Sequence, residues 1–452
     1  MMISDLAKAF DLDFIAEDKM INAVSTDTRT IQKGDLFIAL KGENFDGHEY
    51  LDLAIEKGAD ALIVDRDVET DIPVFKVEDT RLALGQLAAY WRQQLDIKVV
   101  GLTGSNGKTT VKEMLTSILS ETGSVTATRG NFNNDIGLPL TLLQMKPEHE
   151  FAVIEMGANH PGEIAYLTKI TSPDVAVLNN AGSAHLEGFG SLDGVAHAKG
   201  EIFSGLNKEG IAVINIDDKY AEYWVSLCDQ YKKIFFGLGS GANVSADKSE
   251  SDYDGNFLLI TDSGEIAVSL NVLGFHNLKN ALAASSAALA LGVDLESIKN
   301  GLEKFKGVKG RLQVNKAVND SVIIDDSYNA NPSSVRAAID VLAAQKKESI
   351  LILGDLGELG GDAEALHAEL GKYAKEKNIN QLMTLGDLSK FAVKGFGENG
   401  FSYDEKNELI RDAQKQFNKS IAVLVKGSRS MHMEDVVVAL LENNNSGAAS
   451  CC

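Results

Sequence analysis

Apolar residues recur along this chain in short β-branched runs, separated by stretches with helical spacing. In the first hundred residues the runs fall at 36–40, 61–64 and 74–77, and Leu82, Leu84, Leu87, Ala88 and Trp91 mark the core face of a helix predicted over 79–95. From Ile97 to Arg311 the runs are 97–100, 151–156, 175–178 and 211–216, with helices at 111–119 and, Ala-rich, at 277–291. Segments 257–261 and 266–272, joined by Asp262-Ser263-Gly264, predict a short antiparallel insert. A third alternation follows, with strands at 322–325, 350–353, 382–385 and 421–425 and helices at 333–344 and 362–377. Strand–helix alternation of this kind predicts an α/β protein with mostly parallel sheets covered by helices. The breaks divide it into three domains, 1–95, 96–312 and 313–442, the last a smaller doubly wound, Rossmann-like unit. Residues 443–452 are small and polar and predict a disordered tail.

Composition narrows the class. The chain has 452 residues and 44% hydrophobic content, enough for several cores. Its formal net charge of −22 argues against a nucleic-acid partner or an anionic membrane surface. The three cysteines, Cys228, Cys451 and Cys452, make neither a metal-ligand spacing nor a disulfide framework. Residues 1–10 carry Asp5 and Lys8 and lack a signal-peptide core, and no run approaches the roughly 20 apolar residues of a membrane span. A cytoplasmic location is expected.

The candidate chemistry centres on residues 101–110, Gly-Leu-Thr-Gly-Ser-Asn-Gly-Lys-Thr-Thr, placed between a strand and a helix. Glycines let backbone N–H groups turn around an anion, and the following helix start adds partial positive charge. Thr103, Gly104, Ser105, Asn106 and Gly107 would form the phosphate cradle. Lys108 would reach the outer phosphates, and Thr109 or Thr110 would set a hydroxyl on Mg²⁺. The strict G-x-x-x-x-G-K-[ST] pattern has glycine where this chain has Leu102.

Other candidates cluster at strand ends. Glu155 ends an apolar run and could hold Mg²⁺, and His185 follows the run ending at Leu178 and could ligate or move a proton. Asn131, Asn133 and Asn134 offer neutral donors and acceptors to a polar substrate. By itself Lys199 reads as a solvated helix lysine. Arg311, at an interdomain joint, could clamp phosphate. Asp325 and Asp326 precede Tyr328-Asn329-Ala-Asn331-Pro and could bind ribose hydroxyls or a cation. Lys426, Ser428 and Arg429 close the last strand and suit a carboxylate.

Together these stretches resemble the Mur ligases, the ATP-dependent enzymes that extend the peptidoglycan precursor peptide, and the phosphate loop resembles theirs even in its glycine spacing. The likeness covers about residues 21–441. It implies that the first domain binds a uridine nucleotide through 25–29 and 34–48, with Ser25, Asp27, Arg29, Lys41, Asp46 and His48 as contacts. It implies a central ATPase-like domain in which Thr109 meets the first Mg²⁺, and Lys199 is carbamylated and joins Glu155 and His185 around a second. Asn277 and Asn280 would contact adenine, Arg311 phosphate, and Asp326 ribose or a bridging lysine. Asn133, Asn134, Tyr328, Asn329, Asn331, Lys426, Ser428 and Arg429 would face the substrates. Segments 325–332 and 353–360 are most similar to those of members joining D-Ala-D-Ala to a UDP-muramyl-tripeptide. The implied reaction is amide formation through an acyl phosphate by a monomer, with Lys108, Lys199 and His185 as catalytic residues. The alternatives are a ligase of the same superfamily with another acceptor, or an ATP-gated binding protein without turnover.

Overall fold

The computed structural model describes residues 1–13, 17–183, 186–249 and 253–446. Three sheets organise the chain. The first has four parallel strands in spatial order Val24–Ser25, Asp35–Ile38, Ala59–Val64 and Val74–Lys76. Leu36, Ile38, Ala61 and Ile63 face Ile3–Phe10 and Thr80–Gln93, while Phe37, Leu62 and Val64 face Leu51–Glu56. That alternation is the period-two signature of a sheet buried on both faces. The helix Ile3–Phe10 rests on Ile3, Leu6 and Ala7, an i, i+3, i+4 pattern.

Helix Thr80–Gln93 also docks the first domain on the central one. Its Trp91 Nε1 donates to the Met145 carbonyl at 2.9 Å, and Arg81 forms an ion pair with Asp135. A Cβ at Gly85 would come within 1.9 Å of the Tyr166 hydroxyl, so glycine leaves room there for the Tyr166 ring tip.

The central sheet has nine strands, in order Gly264–Ser269, Asn256–Thr261, Val244–Ala246, Lys232–Phe236, Ile211–Asn215, Val175–Leu178, Lys98–Thr103, Phe151–Glu155 and Val125–Ala127. Only the two strands of the hairpin run antiparallel to their neighbours. The expected insert is therefore an extension of this sheet, joined to it through Val244–Ala246. Strand Lys98–Thr103 lies between Phe151–Glu155 and Val175–Leu178, where the strand order reverses, so the loops after all three strands converge at one edge. Helix Lys108–Leu119 packs on this sheet through Val111, Met114, Leu115 and Ile118, against the buried alanines of Phe275–Ala290.

The third sheet runs Gln313–Lys316, Val322–Asp326, Ile421–Lys426, Glu348–Gly354, Gln381–Leu385 and Gly400–Tyr403, antiparallel only at the first pair. Leu351, Leu353 and Leu424 face helices Pro332–Ala343 and Ala363–Glu376; Ile350, Ile352, Val423 and Val425 face the opposite layer. The last helix, Glu434–Ser446, continues into the segment expected to be a disordered tail, and residues 447–452, with Cys451 and Cys452, lie outside the described residues. Among the described residues no helix is long and apolar enough to cross a membrane.

Candidate active site

The strand Lys98–Thr103 continues into the glycine-rich motif, and Leu102 is fully buried beside Val111, Met114 and Val153. The departure from the strict pattern is thus a core position, and the turn begins only at Gly104. Gly107 has φ +79°, and a Cβ there would lie 2.2 Å from Asn280 Oδ1, so no other residue fits. The helix starts at Lys108, and its first N–H groups have no intrahelical acceptors. Thr103 is tied beneath the loop by a 2.8 Å bond to the Met156 carbonyl, and the Ser105 hydroxyl pairs with both main-chain groups of Gly182. Thr110 is buried, whereas Thr109 is half-buried, with its hydroxyl 3.4 Å from Arg311 Nη2. Lys108 Nζ donates to the Gly104 carbonyl at 2.7 Å. Burial lowers its pKa, with Glu155 opposing and Arg311 reinforcing the shift.

Glu155 is 2% exposed; one oxygen accepts from Asn133 Nδ2 at 2.8 Å and the other, Oε2, is buried with no partner. Lys199 is 1% exposed, which overturns the solvated reading. Its Nζ also has no hydrogen-bond partner and sits 5.5 Å from the centre of the Phe189 ring. Burial, reinforced by the charge of Lys108, lowers its pKa to about 7. Glu155 Oε2 and Lys199 Nζ are both among the buried side-chain polar atoms without a partner, as are the Tyr253 and Ser285 hydroxyls of the same domain, and each such atom calls for a ligand, a water or a functional role. His185 lies outside the described residues. Among the described residues no group of three or more His, Cys, Asp and Glu stands ready to hold a metal.

The third domain closes the site. Asp326 ends its strand in an ion pair with Lys426, which also donates to the Asn329 carbonyl at 2.9 Å. Burial pushes the Asp326 carboxyl up, while Lys426 and Arg311 pull it down. Tyr328 stands between two guanidinium groups, Arg311 at 4.4 Å and Arg429 at 5.7 Å from its ring centre. Ser428 is buried, its hydroxyl 3.1 Å from that of Ser430.

Two cavities meet here. One of about 700 Å³ follows the phosphate loop from Ser105 to Thr110 and reaches Asn277, Asn280, Asp326 and Asn331. The other, of about 660 Å³, lies between the first and central domains and holds Asn133, Asn134, Glu155 and Tyr328. Lys108, Thr109, Arg311, Asn329 and Arg429 line both.

Other expected residues are placed apart from these cavities or differently within them. Ser25, Asp27, Arg29, Lys41, Asp46 and His48 follow the carboxyl ends of the first two strands of the first sheet and line neither cavity. Arg29 pairs with Asp27, holding its carboxyl down to about 2, and buried His48 bridges Asp46 at 2.6 Å and the Asp65 N–H at 3.1 Å. Asn134 accepts from the Gly137 N–H at 2.9 Å, at the start of the helix Gly137–Leu143. The Asn277 and Asn280 amides bond to one another, and Asn280 accepts from Asn179, so the pair buttresses the phosphate loop from behind. The Asn106 side chain points to Asn331 and Ser333. Asn179, Asn180, Arg81 and Asp135 also line these cavities without a place among the expected residues. The first two directly follow an expected strand, the signal used for Glu155. Burial lowers the His276 pKa to about 4.

Three family profiles match the chain: "Mur ligase family, catalytic domain" over 20–92, "Mur ligase middle domain" over 102–288, and "Mur ligase, glutamate ligase domain" over 310–429. The UDP-N-acetylmuramoyl-tripeptide–D-alanyl-D-alanine ligase of Escherichia coli K12 is 44% identical over 98% of both chains. Among solved structures, MurF from Acinetobacter baumannii is similar at TM-score 0.90 and 39% identity, over 97% of this chain and 98% of that one. The MurF ligase of Thermotoga maritima, solved with ADP, matches at TM-score 0.85 and 30% identity, over 94% and 98%.

Proposed function

This chain belongs to the Mur ligase family, and we propose that it is an ATP-dependent amide ligase joining D-alanyl-D-alanine to UDP-N-acetylmuramoyl-tripeptide. The observation that carries the reading is the shared wall of Lys108, Thr109, Arg311, Asn329 and Arg429 between two cavities. A carboxylate is a poor acyl donor because oxide is a poor leaving group, so it must meet a phosphoryl donor before it meets an amine. The loop-side cavity suits ATP; the other suits the peptide carboxylate.

The carboxylate attacks the γ-phosphorus, forming an acyl phosphate and releasing ADP. The dipeptide amine then attacks the acyl carbon, loses a proton, and inorganic phosphate departs. Lys108 and Arg311 face the transferring phosphoryl group and offset its charge, the dominant requirement of such transfers. Asn133 and Arg429 orient the carboxylate-bearing peptide, and Tyr328 is held between Arg311 and Arg429 where the two substrates meet. The first-domain cluster at the strand ends takes the uridine nucleotide, at the edge where α/β sheets bind ligands.

The unpartnered Glu155 Oε2 and the Thr109 hydroxyl fit Mg²⁺, which supplies charge neutralisation on the phosphate oxygens. Lys199 fits carbamylation. An amine with a pKa of about 7 is about half unprotonated at neutral pH, and addition of carbon dioxide forms an N–C bond, releases a proton and yields an anion suited to a second cation. UDP-linked substrates fit the bacterial cytoplasm.

The test measures ADP release with ATP, Mg²⁺ and UDP-muramyl-tripeptide, varying the acceptor. Release is expected with D-Ala-D-Ala and not with a single amino acid; the reverse pattern overturns the assignment.

A further inference from the structure

In this phosphate loop every polar main-chain and side-chain group of Asn106 is engaged by protein. Its N–H donates to Asn180 Oδ1 at 2.9 Å, and its carbonyl accepts from Asn179 Nδ2 at 2.9 Å and Asn180 Nδ2 at 3.1 Å. The side chain crosses to the third domain. Asn106 Nδ2 donates to Ser333 Oγ at 2.9 Å, Ser333 Oγ donates to Asn331 Oδ1 at 2.9 Å, and Asn331 Nδ2 donates to Asn106 Oδ1 at 2.8 Å. The three side chains close a ring in which each donates to the next, and turning the Asn106 amide over would set its NH₂ against that of Asn331. Bonds arranged head to tail polarise one another, so such a ring acts as a unit. One side of it packs on Gly182, where a Cβ would lie 3.1 Å from Ser333 Oγ and 3.3 Å from Asn106 Nδ2, and the other side lines the loop-side cavity.

The third-domain side of the ring is rigid as well. Asn331 caps the helix Pro332–Ala343 through the Ser334 N–H, and the segment back to Asp326 is fixed by Lys426 on the Asn329 carbonyl. A connection at Asn331 therefore sets where Tyr328 and Asn329 stand relative to Lys108 and Thr109. We infer that Asn106, Ser333 and Asn331 form an interdomain pin that holds segment 326–331 over the phosphate loop, which makes Asn106 a positioning residue for acyl transfer and not a nucleotide ligand. For its effect on rate the inference rests on the ligase reading; for the pin itself it does not.

The experiment compares Asn106→Ala, Ser333→Ala, the double variant and Ser333→Thr. Ser333→Ala opens the ring but keeps the Asn331 cap. Each variant is read for kcat and KM of the ligase reaction, for affinity toward a fluorescent ADP analogue, and for radius of gyration by small-angle scattering with ADP present. Each alanine variant is expected to lower kcat about tenfold, the scale of losing one or two neutral hydrogen bonds. ADP affinity is expected to change less than about threefold, and the radius of gyration to rise. The double variant should match the worse single one, and Ser333→Thr should restore the rate. Additive losses, an ADP-affinity loss equal to the rate loss, or an unaltered Ser333→Ala enzyme would each overturn the pin. If the unsubstituted chain does not ligate, the ligase reading fails and the scattering comparison alone decides the pin.

Discussion

Lys426 and Lys199, two of the three buried lysines among the described residues, divide this molecule. Lys426, 2% exposed, ends a central strand of the third domain in contact with Asp326 and the Asn329 carbonyl. Lys199, 1% exposed, sits in the central domain on the helix Leu192–Gly200 with no hydrogen-bond partner. Both side chains are equally removed from water, so burial alone does not distinguish them. The counter-charge does. An enclosed ammonium without a partner is costly, and the ordinary resolution is to release its proton. Lys426 is thus built as a tie between strand and substrate segment, and Lys199 as a reactive amine.

The largest expected break in this comparison is Lys426→Met. It leaves Asp326 buried with the Leu312 N–H, at 3.2 Å, and the nearby Arg311 charge, and should destabilise the protein by about 3–5 kcal/mol in urea unfolding. Replacing Asp326 and Lys426 together by apolar residues should recover most of that loss. A single-variant loss below about 1 kcal/mol would mean that the pair is effectively solvated. Lys199→Ala should behave the opposite way. Stability should hold, because an orphaned amine is removed, while turnover falls by about 10²–10³-fold, the usual scale for losing one charge-stabilising group. Added acetate or formate should restore part of it, and full activity without such addition would remove Lys199 from the chemistry.

The same contrast explains what the sequence disclosed. Strands 175–178 and 322–326 were legible because parallel, doubly covered strands are nearly continuous β-branched runs. The phosphate loop was legible because its glycines, lysine and threonines sit between a strand and a helix, and Leu102 gains its meaning once the strand is seen to run through Thr103. The burial of Lys199 was partly legible: Val195 and Ala196 stand four and three residues before it on one helical face, and both are buried. What could not be read was its lack of a partner, which depends on what packs across from that face. Nor could the bonding of Asn331 and Ser333 to the phosphate loop be read, since their partner Asn106 lies more than two hundred residues away in sequence.

The last prediction concerns pH and isolates Lys199 from everything else that titrates. In the unfolded chain the lysine keeps the ordinary value of 10.5, whereas in the folded one it titrates near 7. Above 10.5 both states carry the neutral amine and this site costs nothing. As pH falls through the window between the two values, the unfolded chain takes up a proton that the folded chain refuses. The unfolded state then binds more protons, so stability rises with pH there, at about 1.4 kcal/mol per unit from this one group. Below 7 both states are charged and the penalty is constant. Other groups share the window, so the measurement is a difference between the unsubstituted protein and Lys199→Met, unfolded in urea from pH 7 to 10 with carbon dioxide excluded. The variant should lack the extra slope and be the more stable of the two at the acid end, the gap narrowing as pH rises. Equal slopes would mean that the folded protein holds the ammonium charged, and Lys199 would then stand with Lys426 as a structural cation.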